Sequence, residues 1–259
     1  MTTNSFLLGM AGLALVAGAA NAGLVTTHTT SGTGATVNGT LDANEYGAGN
    51  ANVYLGGGGG FGGTLGASQM YITSDATNIY IGFQPGNNLN DLVAIQIDSR
   101  AGGFTDATST DTSDGGRRAA SNLAGNADDA YPAGFLVDYS IVIGNFGIVT
   151  FEHTGGASMN FVDFNGTFTG GAPTFREYTL PLAALGITTG FNFFAGYVAD
   201  GGYGSDESMP GGAINGGGNV GDGVVSAGYE NYHEFVVPAP GSLAVIGLAG
   251  LAAARRRRA

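Results

Sequence analysis

Apolar and polar residues alternate along much of the chain, and this two-residue period is typical of β-strands. Residues 69–74 and 79–84 alternate on either side of the turn residues 75–78, which predicts a β-hairpin. The mostly apolar run 92–98 predicts a central strand. Similar runs predict strands at 135–143, 147–152, 159–164, 175–180, 191–198 and 232–236. We expect the last strand to close a sheet edge and residues 182–185 to form one helical turn.

Glycine-rich stretches separate the predicted strands, at residues 56–63, 201–204 and 211–223. The chain has 49 glycines in 259 residues, and each glycine disfavours a helix by about 1 kcal/mol relative to alanine. We find no long amphipathic helix and no fixed repeat period. Many short strands joined by such loops predict an all-β fold, a single β-sandwich over residues 23–236.

The N-terminus has the pattern of an export signal. An apolar core, Phe6 to Val16, precedes Ala20-Asn21-Ala22, which is an Ala-x-Ala cleavage pattern. The core is shorter than the roughly 17–25 residues of a membrane-spanning helix. We therefore expect residues 1–22 to form a signal helix that signal peptidase removes after Ala22.

The C-terminus carries a turn, a short apolar run and a basic end. Pro238-Ala239-Pro240 precedes apolar residues 243–254 and the four arginines Arg255, Arg256, Arg257 and Arg258. This order resembles the PEP-CTERM sorting signal of Gram-negative bacteria, with Ala239 where that family usually has Glu. The resemblance implies that residues 237–259 form a short transmembrane helix, which anchors the chain in the inner membrane until exosortase processes it.

The charge of the body limits its partners. All twenty acidic residues lie between residues 42 and 234, whereas four of the eight basic residues lie in the C-terminal run, so the body carries a formal charge of −16. Such a surface repels nucleic acid and anionic lipid. The chain has no cysteine, which excludes disulfides and thiol chemistry.

Four segments of the body, taken in order, resemble family-nine-like carbohydrate-binding modules. They are residues 37–46 (VNGTLDANEY), 70–84, 92–99 and 177–187 (EYTLPLAALGI). The resemblance implies a jelly-roll β-sandwich. Modules of this kind that bind sugar tightly use tryptophan, and this chain has none. Seven tyrosines are candidate substitutes, although most are expected in the core or on sheet surfaces: Tyr46, Tyr54, Tyr80, Tyr197, Tyr203, Tyr229 and Tyr232.

Residues 98–129 are a polar segment rich in carboxylates. It contains Asp98, Asp106, Asp111, Asp114, Asp128 and Asp129. Oxygen ligands at irregular spacing suit Ca²⁺, although the spacing fits no EF-hand. The alternative is a solvated surface loop. Arg117 and Arg118 have two interpretations as well: they pair with these aspartates, or they bind acidic sugars.

Signatures of catalysis are weak. His28, His153 and His233 are far apart in sequence and fit no metal-binding motif. Carboxylates such as Asp138, Glu152, Asp163 and Glu177 can serve glycoside hydrolysis, but they suit exposed strand faces equally well.

We therefore expect an exported, non-enzymatic protein at the cell surface or in the polysaccharide matrix of a Gram-negative-type bacterium, with extracellular polysaccharide as its candidate partner. A Ca²⁺-stabilised adhesin and a polysaccharide hydrolase remain the alternatives.

Overall fold

The computed structural model describes residues 23–59, 61–105, 108–121, 131–165, 174–211, 214–215 and 228–237. The fold over these residues is mostly β-sheet with little helix, which confirms the all-β prediction. Among them, no helix combines the length and the apolar character needed to cross a membrane. The predicted signal segment and nearly all of the sorting segment lie outside the described residues.

The described elements are fourteen strands and three short helices. The strands are β1 (Leu24–Thr29), β2 (Val53–Leu55), β3 (Gln69–Ser74), β4 (Asn78–Gln84), β5 (Leu92–Asp98), β6 (Tyr139–Gly144), β7 (Gly147–His153), β8 (Met159–Asn165), β9 (Arg176–Pro181), β10 (Gly190–Val198), β11 (Gly204–Met209), β12 (Ile214–Asn215), β13 (Gly228–Tyr229) and β14 (Tyr232–Val236). The helices are α1 (Gly115–Ala120) and two 3₁₀ turns, Ala48–Asn50 and Leu182–Leu185.

The strands form one large sheet, one small sheet and an isolated pair. The large sheet has the order β1-β14-β10-β5-β6-β7-β8, and β11 also pairs with β10. The small sheet has the order β2-β3-β4-β9, and β12 pairs with β13. Neighbouring strands are antiparallel except β1 and β14, which are parallel.

One hydrophobic core joins the two main sheets. Ile72 and Ile81 of the small sheet belong to the same buried cluster as Ile95, Ile141 and Phe193 of the large sheet. The inward faces of both sheets therefore contribute to a single interior, and its burial is the main source of stability. This arrangement explains why β3 and β4 are so readily predicted, since their inward residues recur every second position.

The large sheet also has apolar residues on its outer face, where helix α1 covers part of it. Ala119 and Ala120 of α1 pack in a second cluster with Ala94, Val142 and Phe151. Strand β5 is consequently buried on both faces, as its mostly apolar sequence predicts. The helix begins at Asp114, whose side chain accepts a hydrogen bond from the backbone N–H of Arg117.

Most of the predicted strands are confirmed, with two corrections. The strand predicted at 135–143 begins only at Tyr139, because residues 135–138 pair with no strand and make only one isolated bridge, between Val137 and Phe104. The strand at 232–236 does not close the sheet edge. Strand β1 adds outside it in parallel, so β14 lies between β1 and β10 and β1 is the edge. The predicted helical turn is confirmed as the 3₁₀ turn Leu182–Leu185, which ends at the left-handed Gly186.

Candidate functional site

The predicted calcium ligands do not form one group in the described part of the chain. Asp111 and Asp114 both precede helix α1, whereas Asp98 ends strand β5 beside Asn192 of β10. Within the described ranges no three histidine, aspartate or glutamate side chains are close enough to hold a metal ion. Asp106, Asp128 and Asp129 lie outside these ranges.

Asp111 and Asp114 are instead held by Arg117. The guanidinium of Arg117 forms ion pairs with both, at 3.2 Å from Nε to Asp111 and through Nη1 to Asp114. Burial alone would raise the pKa of Asp111, but hydrogen bonds from Ser113 and Met159 and the charge of Arg117 hold that pKa below its ordinary value. The expected pairing of Arg117 with aspartates is confirmed. The Arg118 guanidinium lies near Asp200, at 3.6 Å from its carboxylate.

Asp98 lies in an open polar cleft of about 570 Å³. Burial and the nearby Asp138 raise the pKa of Asp98 to about 6. Both Asp98 and Glu234 stand opposite Asn192 in the sheet register, on either side of β10. They are therefore two strand spacings apart, about 10 Å between their Cα atoms.

Several other carboxylates are buried and bind backbone amides. Glu177 accepts hydrogen bonds from the N–H groups of Asn38 and Gly39, both at 2.7 Å, and from the Tyr46 hydroxyl at 3.0 Å. Glu207 likewise accepts hydrogen bonds from three backbone N–H groups, those of residues 63, 65 and 66. Such carboxylates fix loops, because each accepts hydrogen bonds from several backbone amides.

This burial corrects the expectation that the strand carboxylates lie on exposed faces. Asp138 and Glu177 are buried, and Asp138 accepts hydrogen bonds from the backbone N–H groups of Ser99 and Arg100 and from the Arg100 side chain. Glu152 and Asp163 are half-buried, and the Glu152 carboxylate pairs with Arg100 at 3.0 Å.

Most of the candidate sugar-binding tyrosines are inside the protein, as expected. Tyr46, Tyr54, Tyr197 and Tyr229 are buried, and Tyr80 and Tyr232 are half-buried. The Tyr80 hydroxyl donates to Asp75 at 2.7 Å. Only Tyr203 is largely exposed among the seven, with 41% of its surface accessible, beside Phe61.

A group of exposed phenylalanines forms the aromatic surface that the tyrosines do not supply. Phe146, Phe161 and Phe164 are 47%, 60% and 50% exposed. The rings of Phe146 and Phe164 are nearly parallel, at 17°, with centroids 6.5 Å apart. These three rings, which we call the aromatic patch, line a cleft of about 260 Å³ whose floor includes Val149 and Phe151.

A β-bulge in strand β8 creates the aromatic patch. Phe161 stands opposite Phe151, and Phe164 stands opposite Val149, while the register shifts between these pairs. Because Val149 and Phe151 lie on the same face of β7, the bulge brings Phe161 and Phe164 to one face. Strict alternation would place two residues three apart on opposite faces, so alternation alone does not predict the patch.

The polar side of the same cleft is formed by Asp114 and Arg117. The Arg117 guanidinium carbon lies 4.6 Å from the centroid of the Phe151 ring, and its pairing with Asp111 fixes it in place. Phenylalanine rings beside fixed hydrogen-bonding groups can bind a ligand that has one apolar face and a polar edge.

The three histidines lie at two separate places in the fold. His153 is buried, with Nδ1 at 2.5 Å from the Ser109 hydroxyl and Nε2 at 2.6 Å from the Ser140 hydroxyl. His28 and His233 lie on the neighbouring strands β1 and β14 and both pack against the ring of Tyr54. Burial lowers the pKa of His153 to about 4, and burial together with the charge of His28 lowers that of His233 to about 4.

The predicted export residues lie outside the described ranges. They are Ala20, Ala22, Pro238, Ala239, Pro240, Arg255, Arg256, Arg257 and Arg258.

Comparisons of the chain with protein-family models, with curated proteins and with solved structures find no significant match. The interpretation of the site therefore depends on its own geometry.

Proposed function

We propose that this chain is an exported, non-enzymatic protein of the cell surface or extracellular matrix, and that it contacts polysaccharide through the aromatic patch. The patch is the observation that carries the proposal. Exposed aromatic rings seldom cluster on a soluble surface without a ligand, and these three adjoin fixed polar groups. We further propose that the two facing sheets form the jelly-roll-like sandwich that the resemblance to carbohydrate-binding modules implies.

Binding to polysaccharide from the native host tests this proposal. The purified protein is passed over immobilised extracellular polysaccharide of that host, and its retention is compared with that of a Phe161→Ala, Phe164→Ala double variant. Tyr203→Ala is the matched control, because Tyr203 is exposed and belongs to a different aromatic pair. We expect the double variant to lose retention and the control to keep it. Equal retention of all three proteins would show that the aromatic patch does not take part in polysaccharide binding.

The export route is the second part of the proposal. The signal segment directs secretion, residues 237–259 hold the chain at the inner membrane, and exosortase then releases it to the surface or matrix. Mass spectrometry of the termini from surface and medium fractions tests this route. We expect an N-terminus at Gly23 and a C-terminus near Pro238-Ala239-Pro240. Intact precursor recovered from the cytosol would contradict it.

A second candidate function is polysaccharide hydrolysis in the Asp98 cleft. The observation in its favour is a carboxyl group whose pKa is raised to about 6, with Glu234 two strands away. Inverting glycosidases use an acid and a base whose carboxyl groups are roughly 6.5–9.5 Å apart, and a Cα separation of about 10 Å is compatible with such a pair. If the wild-type protein releases reducing sugars from polysaccharide and the Asp98→Asn variant does not, hydrolysis would be supported over simple binding.

A further inference from the structure

The cleft beside the aromatic patch offers hydrogen-bonding groups whose charges are already paired. Among the described residues that line it, only Asp114 and Arg117 are charged. Both oxygens of Asp114 are engaged by Arg117, one by its backbone N–H at 2.8 Å and the other by its guanidinium. An anionic ligand would therefore lose its hydration beside phenylalanine rings without gaining a free counter-charge, which is unfavourable.

The same groups can still bond to hydroxyls. Nε and Nη1 of Arg117 are taken by Asp111 and Asp114, whereas Nη2 has no hydrogen-bond partner among the described residues. Two N–H donors thus remain in a fixed position, and a carboxylate oxygen can accept more than one hydrogen bond. Donors on Arg117 and acceptors on Asp114, side by side, suit the hydroxyl groups of a sugar ring, because each hydroxyl can both donate and accept a hydrogen bond.

The size of the patch favours a small ligand over a second protein. Aromatic side chains bury about 150–250 Å² each, so three rings that are roughly half exposed present about 300 Å². A stable protein interface needs about 800 Å² from each partner. The body charge of −16 further opposes self-association and opposes acidic ligands.

From these observations we propose that the ligand of the aromatic patch is an uncharged pyranose chain. Its C–H faces stack on Phe161 and Phe164, and its hydroxyls bond to Asp114 and Arg117. The inference rests on the proposed function and narrows it to one class of polysaccharide. It excludes the other interpretation of Arg117, the binding of acidic sugars.

Isothermal titration of the purified protein with defined polysaccharides tests the inference. The uncharged set is β-glucan, mannan and xylan; the anionic set is alginate and polygalacturonate; and chitosan is the cationic probe. We expect binding to at least one uncharged polysaccharide, with Kd changing less than twofold between 0.05 M and 0.5 M salt, since little counterion exchange is involved. The Phe161→Ala, Phe164→Ala variant should bind at least tenfold more weakly, and Tyr203→Ala should bind like the wild type.

The outcomes separate this inference from the function on which it rests. Patch-dependent binding to anionic or cationic polysaccharide alone would overturn the uncharged-ligand inference but keep the polysaccharide-binding function. No patch-dependent binding to any member of the panel or to the host polysaccharide would overturn both. Because Phe161 and Phe164 are exposed, the double variant should keep the wild-type circular dichroism spectrum, which shows that lost binding is not lost folding.

Discussion

Acidification should destabilise the protein through its buried histidines, and His153 shows why. The Ser140 hydroxyl uses its one hydrogen to donate to Gln96, so Nε2 of His153 must donate to Ser140, and Nδ1 accepts from Ser109. His153 is therefore a neutral imidazole whose hydrogen bonds are satisfied. Protonating it places a charge among neutral partners in the core, which burial opposes.

The size of the effect follows from the pKa values. His153 and His233 each have a pKa of about 4 in the fold, against 6.5 ordinarily. The unfolded chain thus binds more protons between pH 6.5 and 4, and stability falls as the pH is lowered through that window. At about 1.4 kcal/mol per pKa unit, each histidine costs about 3 kcal/mol at pH 4, or about 6 kcal/mol together.

Asp98 acts in the opposite direction over nearly the same window. Its pKa is raised from 3.8 to about 6, so the folded state binds its proton more strongly and gains stability as the pH falls below 6. This gain is about 2 kcal/mol at pH 4, where the unfolded chain has also begun to bind the proton. We therefore expect a net loss of about 4 kcal/mol between pH 7 and pH 4, a large part of the ~5–15 kcal/mol that stabilises a typical domain.

Urea unfolding followed by far-ultraviolet circular dichroism at pH 7, 6, 5, 4.5 and 4 measures this loss. In His153→Gln the fall in the free energy of unfolding between pH 7 and pH 4 should be about 3 kcal/mol smaller, whatever the substitution does to stability at pH 7. In Asp98→Asn the fall should be larger by about 2 kcal/mol. A wild-type free energy of unfolding that is the same at pH 7 and pH 4 would refute the reasoning. A His153→Gln variant with the full wild-type slope would refute it for His153.

Three further predictions test the loops and the metal. Glu177→Gln should lower the free energy of unfolding by about 2–4 kcal/mol in chemical denaturation, because charge-assisted hydrogen bonds to two backbone amides are weakened; a change below 0.5 kcal/mol would contradict its role. Gly56→Ala should lower the free energy of unfolding by at least about 2 kcal/mol, because the added Cβ would lie 1.8 Å from the Leu65 carbonyl oxygen. Gly59→Ala, with open space around the added Cβ, should change the free energy of unfolding by no more than about 0.5 kcal/mol. Asp111→Asn should lower Tm equally in Ca²⁺ and in EDTA, since Asp111 binds Arg117 and backbone amides; a larger loss in Ca²⁺ would revive the calcium site there.

The strands that can be predicted from the sequence are those whose pattern lies within a short stretch of the chain. The hairpin of β3 and β4 is confirmed because alternation and turn chemistry lie side by side in the chain. Strand β1 is not predictable in this way, since nothing near residues 24–29 indicates a parallel partner at 232–236. Strand β11 is not predictable either, because its sequence, GSDESM, is polar, and its buried Glu207 is satisfied by backbone amides about 140 residues away.

The candidate site was less predictable than the fold for a similar reason. Tyrosine content points to other positions, and the aromatic surface depends instead on a bulge between Phe161 and Phe164. An aromatic pair three residues apart in an otherwise alternating strand is the sequence signal for such a bulge. The pairing of Arg117 with aspartates is predictable, because these opposite charges lie close together in the sequence.

Nuclear magnetic resonance of the aromatic side chains tests the central claim most directly. An uncharged oligosaccharide is titrated into the purified protein while the ring signals of Phe146, Phe151, Phe161 and Phe164 are followed. Our account predicts saturable shifts concentrated on these four rings, with Tyr203 unchanged. Saturable shifts confined to residues around Asp98, or no saturable shift with either this ligand or the host polysaccharide, would contradict it.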